Sequence, residues 1–326
     1  MRAFSRSRGF GIYAAVALAG CSGGSPLASN QIQPNALATR ATLSLFDRAA
    51  GTRQASGRPW MAPEAKKSDL AYISNFYNST ILAFTYPRGK YVGSLSSDDP
   101  QGLCAAKTGN WWVVASGAAE VSEYAHGGTT PLKTLSVTGG EPAGCTVDPT
   151  SGNLAVTLLG AGDVVVFTGG SGSGATIADD LSSSYFDGYD DKGDLFVDGI
   201  TPSDTYGVVE LPKGGSMFEA ITLSHTLEFP GGIQGYGNYL AVGDQGTSDI
   251  YHFAIHGTKG KEIGVTHLTG GDGGGFWIQK PDVVAIDAGS GSEIAAIWKY
   301  PAGGSPIRMF QGSFDLPIGV TVSVAK

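Results

Sequence analysis

The chain is poor in charge and poorer in cysteine: 15% of its 326 residues are charged, and three are cysteines. No amphipathic helical run separates its strand-like segments, which excludes α/β repeats. Its N-terminal apolar stretch, residues 10–19, covers ten residues and is too short to span a bilayer. There is no Gly-x-Ser-x-Gly elbow, so a serine-hydrolase reading has no support. The Gly-rich runs at 169–174 and 270–275 lack the spacing of a nucleotide motif and precede no helix. Lys and Arg form no run, and the formal net charge is −8. That balance argues against nucleic-acid binding. His252 and His256 are four apart, which on a strand separates them by roughly 13 Å and makes no metal pair.

Glycine is abundant instead, at 50 residues, and it is placed periodically. The stretch PAGCTVDPTSGNLAVT (142–157) reads as strand, tight turn and strand. Three markers recur around it. A Pro-x-Gly opening precedes a strand at Pro100/Gly102, Pro142/Gly144, Pro230/Gly232 and Pro317/Gly319, with Phe186-Asp187-Gly188 as a weaker copy. Gly-Asn or Gly-Asp opens the next strand at Gly109-Asn110, Gly152-Asn153, Gly193-Asp194 and Gly237-Asn238. A third strand then ends in a Gly-containing turn, six times from Tyr86 to Tyr300. The period is about 43 residues, the length of one four-stranded propeller blade.

The ends set the expected architecture. The first unit starts at Asp69 without a Pro-x-Gly strand, and the last residues, PIGVTVSVAK (317–326), are such a strand with nothing after it. Pairing of residues 318–324 with residues 70–74 predicts an all-β, six-bladed β-propeller closed by the C-terminal strand completing the first blade. Closure removes two sheet edges that would otherwise invite aggregation.

Residues 1–21 read as a targeting segment: Arg2, Arg6 and Arg8, then the apolar stretch, then Leu18-Ala19-Gly20-Cys21. That ending resembles the lipobox of bacterial lipoproteins, which implies lipidation of Cys21 and an exported protein anchored to the cell envelope, at the outer membrane or another extracytoplasmic face. Loss of residues 1–20 takes the net charge from −8 to −11. Residues 22–59 read as a flexible tether with a reach of roughly 35 Å, and residues 60–326 as the propeller, with Trp60 at its rim. The expected membrane contact is through the anchor alone, and the expected state is a monomer.

Cys104 and Cys145 fall two residues and one residue after the Gly of the Pro-x-Gly marker, on inner strands of adjacent blades. Such strands converge near the ring axis, so a disulfide is geometrically credible, and two buried thiols are the alternative. No His lies near either in sequence, so a metal or nucleophilic role has no support.

Chemistry is sparser. The acidic run DGYDDKGD (187–194) reads as turn chemistry. The ends of the second strands, which in a propeller lie near the channel mouth, carry Asn75, Ser116, Thr157, Asp198, Asp244 and Asp287. Of these, Asn75, Asp198, Asp244 and Asp287 are the candidate ligands for one divalent cation such as calcium. A polar, water-filled tunnel without a cofactor is the other reading. Trp111, Trp112, Trp277 and Tyr236 offer either a stacking surface or core.

With these residues in view, the chain resembles NHL-repeat β-propellers, and more closely an uncharacterised group of bacterial secreted or lipoprotein propellers. The carriers are Trp60-Met61-Ala62-Pro63-Glu64, the Pro142-x-Gly144-Cys145 strand and the block at 145–156. The resemblance spans residues 60–326 and implies an exported propeller with paired cysteines. Related propellers include metal-dependent lactonases, which use a carboxylate and amide set at the channel, and a streptogramin-inactivating lyase, whose histidine and glutamate arrangement is not evident here. The expected function is a binding scaffold for an envelope protein or a small ligand, with no catalytic set. The alternative is a metal-dependent lactonase-like hydrolase.

Overall fold

The computed structural model describes residues 58–288 and 293–326. The targeting segment with Cys21, and the tether up to residue 57, lie outside the described residues. Strands dominate throughout, with three short 3-10 turns among the described residues. None of their helices is long and apolar enough to cross a membrane.

The strands follow the repeat. The first group is β1 (Trp60–Met61), β2 (Leu70–Asn75), β3 (Thr80–Thr85) and β4 (Tyr91–Ser96). Then come β5 (Pro100–Ala105), β6 (Trp111–Ala115), β7 (Glu120–Tyr124) and β8 (Pro131–Ser136). The third group is β9 (Glu141–Val147), β10 (Leu154–Leu159), β11 (Asp163–Phe167) and β12 (Ala175–Ala178). The fourth is β13 (Ser183–Tyr189), β14 (Leu195–Ile200), β15 (Tyr206–Leu211) and β16 (Glu219–Leu223). The fifth is β17 (Pro230–Tyr236), β18 (Tyr239–Asp244), β19 (Asp249–His256) and β20 (Lys259–His267). The chain ends with β21 (Phe276–Gln279), β22 (Asp282–Asp287), β23 (Ile294–Lys299), β24 (Arg308–Met309) and β25 (Pro317–Ser323).

These strands form five hydrogen-bonded sheets in a propeller-like arrangement. Three are plain four-stranded meanders: β5 to β8, β9 to β12 and β21 to β24. A fourth has the order β1-β4-β3-β2-β25, so the C-terminal strand lies beside β2, with Leu70 opposite Ser323 and Ile73 opposite Val320. The fifth has eight strands: two antiparallel meanders joined at their outer edges by a short parallel pair, Thr222 with Lys259 and Leu223 with Gly260. The apolar cores lie between sheets. Ile73 and Phe84 of the first sheet, for instance, pack with Val284 and Ile297 of the last.

The Pro-x-Gly marker has a definite structural meaning. In β5, β9, β17 and β25 the pairing skips two residues directly after the proline, which makes a β-bulge. The bulge brings the glycine against the next inner strand. A side chain on Gly319 would stand 2.2 Å from the Gln101 carbonyl of β5, and one on Gly275 would stand 2.1 Å from the Ile318 carbonyl of β25. Gly102, Gly144, Gly188 and Gly232 meet the following inner segment in the same way, so the contacts run in a circle back to β25. Only glycine allows backbones this close.

One marker needs correction. The weak copy in β13 reads in sequence as Phe186-Asp187-Gly188, but the bulge there lies between Ser184 and Asp187. The counterpart of Pro-x-Gly is therefore Ser184-Tyr185-Phe186, and Phe186 occupies the place that glycine holds in the other bulged strands. A Ser and a Phe in place of Pro and Gly hide the register from sequence pattern alone.

Candidate functional site in the central channel

The inner strands line two adjoining cavities. The larger, about 220 Å³, is lined by Leu103, Cys145, Asp187, Ile233, Phe276 and Val320, one residue from each inner strand. It opens where these strands end, past Lys107, Asp191 and Trp277. The smaller, about 100 Å³, lies where the inner strands begin and is walled by Phe76, Tyr185, Phe229 and Leu316, with Gln101, Glu141, Gln245 and Asp272 as its polar members. Gly102, Gly144, Phe186 and Gly275 line both. Tyr185 and Phe229 meet edge to face at 6.0 Å. Gln101 Nε2 donates to Glu141 Oε1 at 3.2 Å. Burial raises the Glu141 pKa, and the Gln101 bond offsets part of that.

The candidate cation ligands are all buried, and Asn75, Asp198 and Asp244 each accept from backbone N–H groups. Asn75 Oδ1 accepts from the Asp315 N–H, and its Nδ2 donates to the Ser313 carbonyl at 3.1 Å. Asp198 Oδ1 accepts from the Phe186 N–H at 3.0 Å, and its Oδ2 accepts from the Tyr206 hydroxyl at 3.3 Å. Asp244 accepts from the N–H groups of Glu228, Phe229 and Gly246 at 2.9, 3.1 and 3.0 Å. Asp287 stays beside Asp272, a residue missed in the sequence reading. The Asp272 carboxyl ties the N–H groups of Gly274 and Ala288, both at 2.8 Å. Its pKa is pushed up to about 6, chiefly by burial and further by Asp287. Among the described residues, no group of three or more His, Cys, Asp and Glu side chains is arranged to hold a metal ion.

These bonds explain why polar residues recur at the second-strand ends. A bulge frees an inward-facing amide, and a neighbouring side chain receives it. Gly319 N–H donates to Ser74 Oγ at 2.6 Å, Gly144 N–H to Thr157 Oγ1 at 2.7 Å, and Phe186 N–H to Asp198. Buried backbone donors left without partners are costly, so the recurrence has a structural cause. Ser116 works in the opposite sense, its hydroxyl donating to the Pro142 carbonyl.

The aromatic candidates separate. Trp111 is fully buried between Tyr72 and Tyr124, with ring centroids at 4.0 and 4.9 Å. Trp112 packs in the core that contains both inner-strand cysteines. Trp277 lines the larger cavity. Tyr236 lies under the Lys280 ammonium, 4.6 Å from its ring centre. Trp60 is 45% exposed and meets Tyr91 edge-on at 5.4 Å.

Cys104 and Cys145 form a disulfide with Cα atoms 5.7 Å apart. This closes the alternative that sequence left open. A disulfide suggests an oxidising, exported environment.

His252 is structural. Tyr239 donates to Tyr300 at 2.9 Å, and Tyr300 in turn donates to His252 Nε2 at 2.9 Å. Burial, and then Lys280, lower the His252 pKa to about 4. A folded pKa below the unfolded 6.5 means stability present near neutrality and lost as pH falls through the window from 6.5 to 4. The loss over that window is expected to be roughly 3 kcal/mol greater in the wild type than in His252→Gln. Urea unfolding at each pH measures it, and parallel curves would refute the assignment.

No protein-family model matches the chain, and no curated protein does. Among solved structures, it is similar to one described as the crystal structure of a nidogen/laminin complex. The TM-score is 0.60 and the identity 12%, over 79% of this chain and 100% of the matched one. At that identity the likeness shows the fold alone. Fold and comparison together place the chain among β-propeller-like proteins.

Proposed function

We propose that this chain is a lipid-anchored propeller of the bacterial cell envelope, of the NHL-like kind, that acts as a binding scaffold through its central channel. In this reading the ring has six blades, the eight-stranded sheet being two blades joined at their rims. The observation that carries the binding role is the pair of adjoining cavities walled by every inner strand. Pockets of this kind, mostly apolar with a few polar groups, are where small ligands bind. The address rests on Leu18-Ala19-Gly20-Cys21 and agrees with the disulfide.

A charge asymmetry supports a propeller whose tether-proximal surface faces the membrane. Residues 58–90 carry Arg58, Lys66, Lys67, Arg88 and Lys90 against Glu64 and Asp69, in a chain whose net charge is −8. All five cations are exposed, as are Trp60 and Tyr91. Aromatic residues beside cations suit the surface of an anionic bilayer, and here they stand where the tether joins the propeller. The sequence has no Lys/Arg run because the fold gathers these residues from the segment before β1, the following 3-10 turn and the β3–β4 hairpin.

The test is fractionation of the full chain after expression in a lipoprotein-processing bacterium. Wild type is expected in the membrane fraction with a diacylglyceryl mass on Cys21, and Cys21→Ser in the soluble exported fraction. Unmodified Cys21 in the wild type would overturn the anchor.

A further inference from the structure

Successive inner strands lie side by side and run in one direction: Gly102 meets Ala143 and Cys145, Gly188 meets Ile233, and Gly319 meets Gln101 and Leu103. Equivalent ends of the meanders therefore gather on two faces. One face carries the turns between first and second strands and between third and fourth strands. The other carries the second-to-third turns and the linkers into the next inner strand. The charges divide between these faces. Among the described residues, the second-to-third turns and the linkers hold no Lys or Arg. They do hold Asp98, Asp99, Asp179, Asp180, Asp204 and Glu228.

The opposite face has a basic sector, built from the first sheet and its two neighbours. The β3–β4 turn brings Arg88 and Lys90, and the 3-10 turn after β1 brings Lys66 and Lys67. The β5–β6 turn brings Lys107, the β21–β22 turn Lys280, and the chain after β25 Lys326. All of them are exposed. Contacts tie these turns together. Lys66 lies against Gly127 of the β7–β8 turn, and Lys326 lies near Gly109 of the β5–β6 turn. The Tyr86 hydroxyl donates to the Gln279 carbonyl, next to Lys280, at 2.9 Å. The acids within the sector are engaged: Glu64 pairs with Lys90, Asp282 with Lys299, and Asp69 Oδ1 accepts from the Ala325 N–H at 2.9 Å. Exposed apolar side chains stand among the cations. Tyr91 follows Lys90, Trp60 meets Tyr91 edge-on, and Val324 lies beside Gly109, at 40, 45 and 40% exposure.

We propose that the propeller itself binds an anionic bilayer through this sector, with its acidic face turned away. The inference rests on the envelope reading above and deepens it by adding a contact independent of Cys21. Three observations select a bilayer. Each cation held near an anionic lipid surface strengthens binding roughly fivefold, and the sector gathers them from turns far apart in sequence. Trp60, Tyr91 and Val324 suit the headgroup layer, whereas a soluble polyanion would use the cations and leave these side chains in water. The chain outside the described residues ends at residue 57, just before Trp60, so a tether from Cys21 delivers this edge of the propeller to the surface at high effective concentration. Repulsion of the acidic face by the same surface fixes the orientation. The larger cavity, which opens past Lys107 and Trp277, then faces the headgroups.

The experiment uses the full chain with Cys21→Ser, so that no lipid contributes, and measures cosedimentation with sucrose-loaded vesicles. These contain phosphatidylcholine alone or with about one third phosphatidylglycerol. Binding is expected to be at least about tenfold tighter to the anionic vesicles and to weaken as salt rises. Lys66→Glu/Lys67→Glu/Arg88→Glu/Lys107→Glu is expected to bind at least about 100-fold more weakly, and the matching Gln variant at least about tenfold. The Gln variant carries the test if the Glu variant fails to fold. Lys192→Glu/Lys213→Glu alters the same face outside the sector and is expected to change binding less than about threefold. Trp60→Ala is expected to weaken binding about threefold. With vesicles bound, hydrogen exchange is expected to slow at 86–90 and 106–110 and not at 201–205. Equal binding to both vesicle types, equal loss in the two sets of charge variants, or slowing confined to 201–205 each overturns the proposal. No effect of Trp60→Ala would replace the bilayer with a soluble polyanion and overturn it too. Since this chain carries no lipid, the outcome is independent of whether Cys21 is modified in the wild type.

Discussion

A chain ending at Leu316 is expected to be recovered only as aggregate. The truncation removes β25, which lies beside β2 in the first sheet although some 245 residues separate Ser74 from Gly319. Val320 and Val322 are almost fully buried in the core shared by the first and last sheets, and burial of each such side chain contributes about 1.5–3 kcal/mol. The ladder from Leu70 to Asn75 would be left as an open edge, a template for pairing with other chains. The circle of inner strands would also break, since Gly275 rests on β25 and Gly319 on β5. His126 would lose Ser323, which it meets at 2.7 Å while also reaching the Ala65 and Ser68 carbonyls. Total stability of a domain is of order 5–15 kcal/mol, so these losses together exceed what the remainder can supply. Solubility and gel filtration decide the matter. A monodisperse, folded product from the truncated chain would show that the ring does not depend on its last strand.

The second large effect is expected from Cys104→Ala/Cys145→Ala. The disulfide joins β5 to β9, strands of different sheets that share no ladder hydrogen bonds, across a sequence separation of 41. In the chain-entropy account a closed loop of that length contributes about 4 kcal/mol by restricting the unfolded ensemble. Both sulfurs lie in a core with Trp112, Val156 and Phe167, so the variant also loses some packing. A fall in Tm of about 10 °C is expected for a domain of this size, and wild type unfolded under reducing conditions should match the variant. An unchanged Tm would mean that inter-sheet packing alone sets stability here.

Much of the fold was legible because local turn chemistry writes itself into short motifs. Gly152-Asn153 and its copies mark hairpins, and Pro-x-Gly marks the bulge of an inner strand. The orphan strand at 317–326 pointed to its partner at the other end of the chain. Legibility failed in β13, where Ser184 and Phe186 replace the marker and the sequence pattern puts Asp187 two places out of register. The recurrent polar positions at the second-strand ends were visible as a pattern. Their work was not, because Ser74, Thr157 and Asp198 receive amides from a strand remote in sequence or displaced by a bulge. Trp111 and Trp277 look alike in sequence, yet one lies between two tyrosines and the other lines the channel.

By itself, then, the sequence determined the period, the strand-rich character and the pairing of its two ends, since these depend on residues close together or on a pattern repeated at fixed spacing. Only the tertiary structure decided that Cys104 reaches Cys145, that Asp198 and Asp244 hold backbone amides, and that Asp187 stands buried without a hydrogen-bond partner. Those outcomes depend on which strands converge at the axis and on one-residue offsets between neighbouring ladders. A shift of a single residue turns a side chain from one face of a strand to the other, and no local motif reports it.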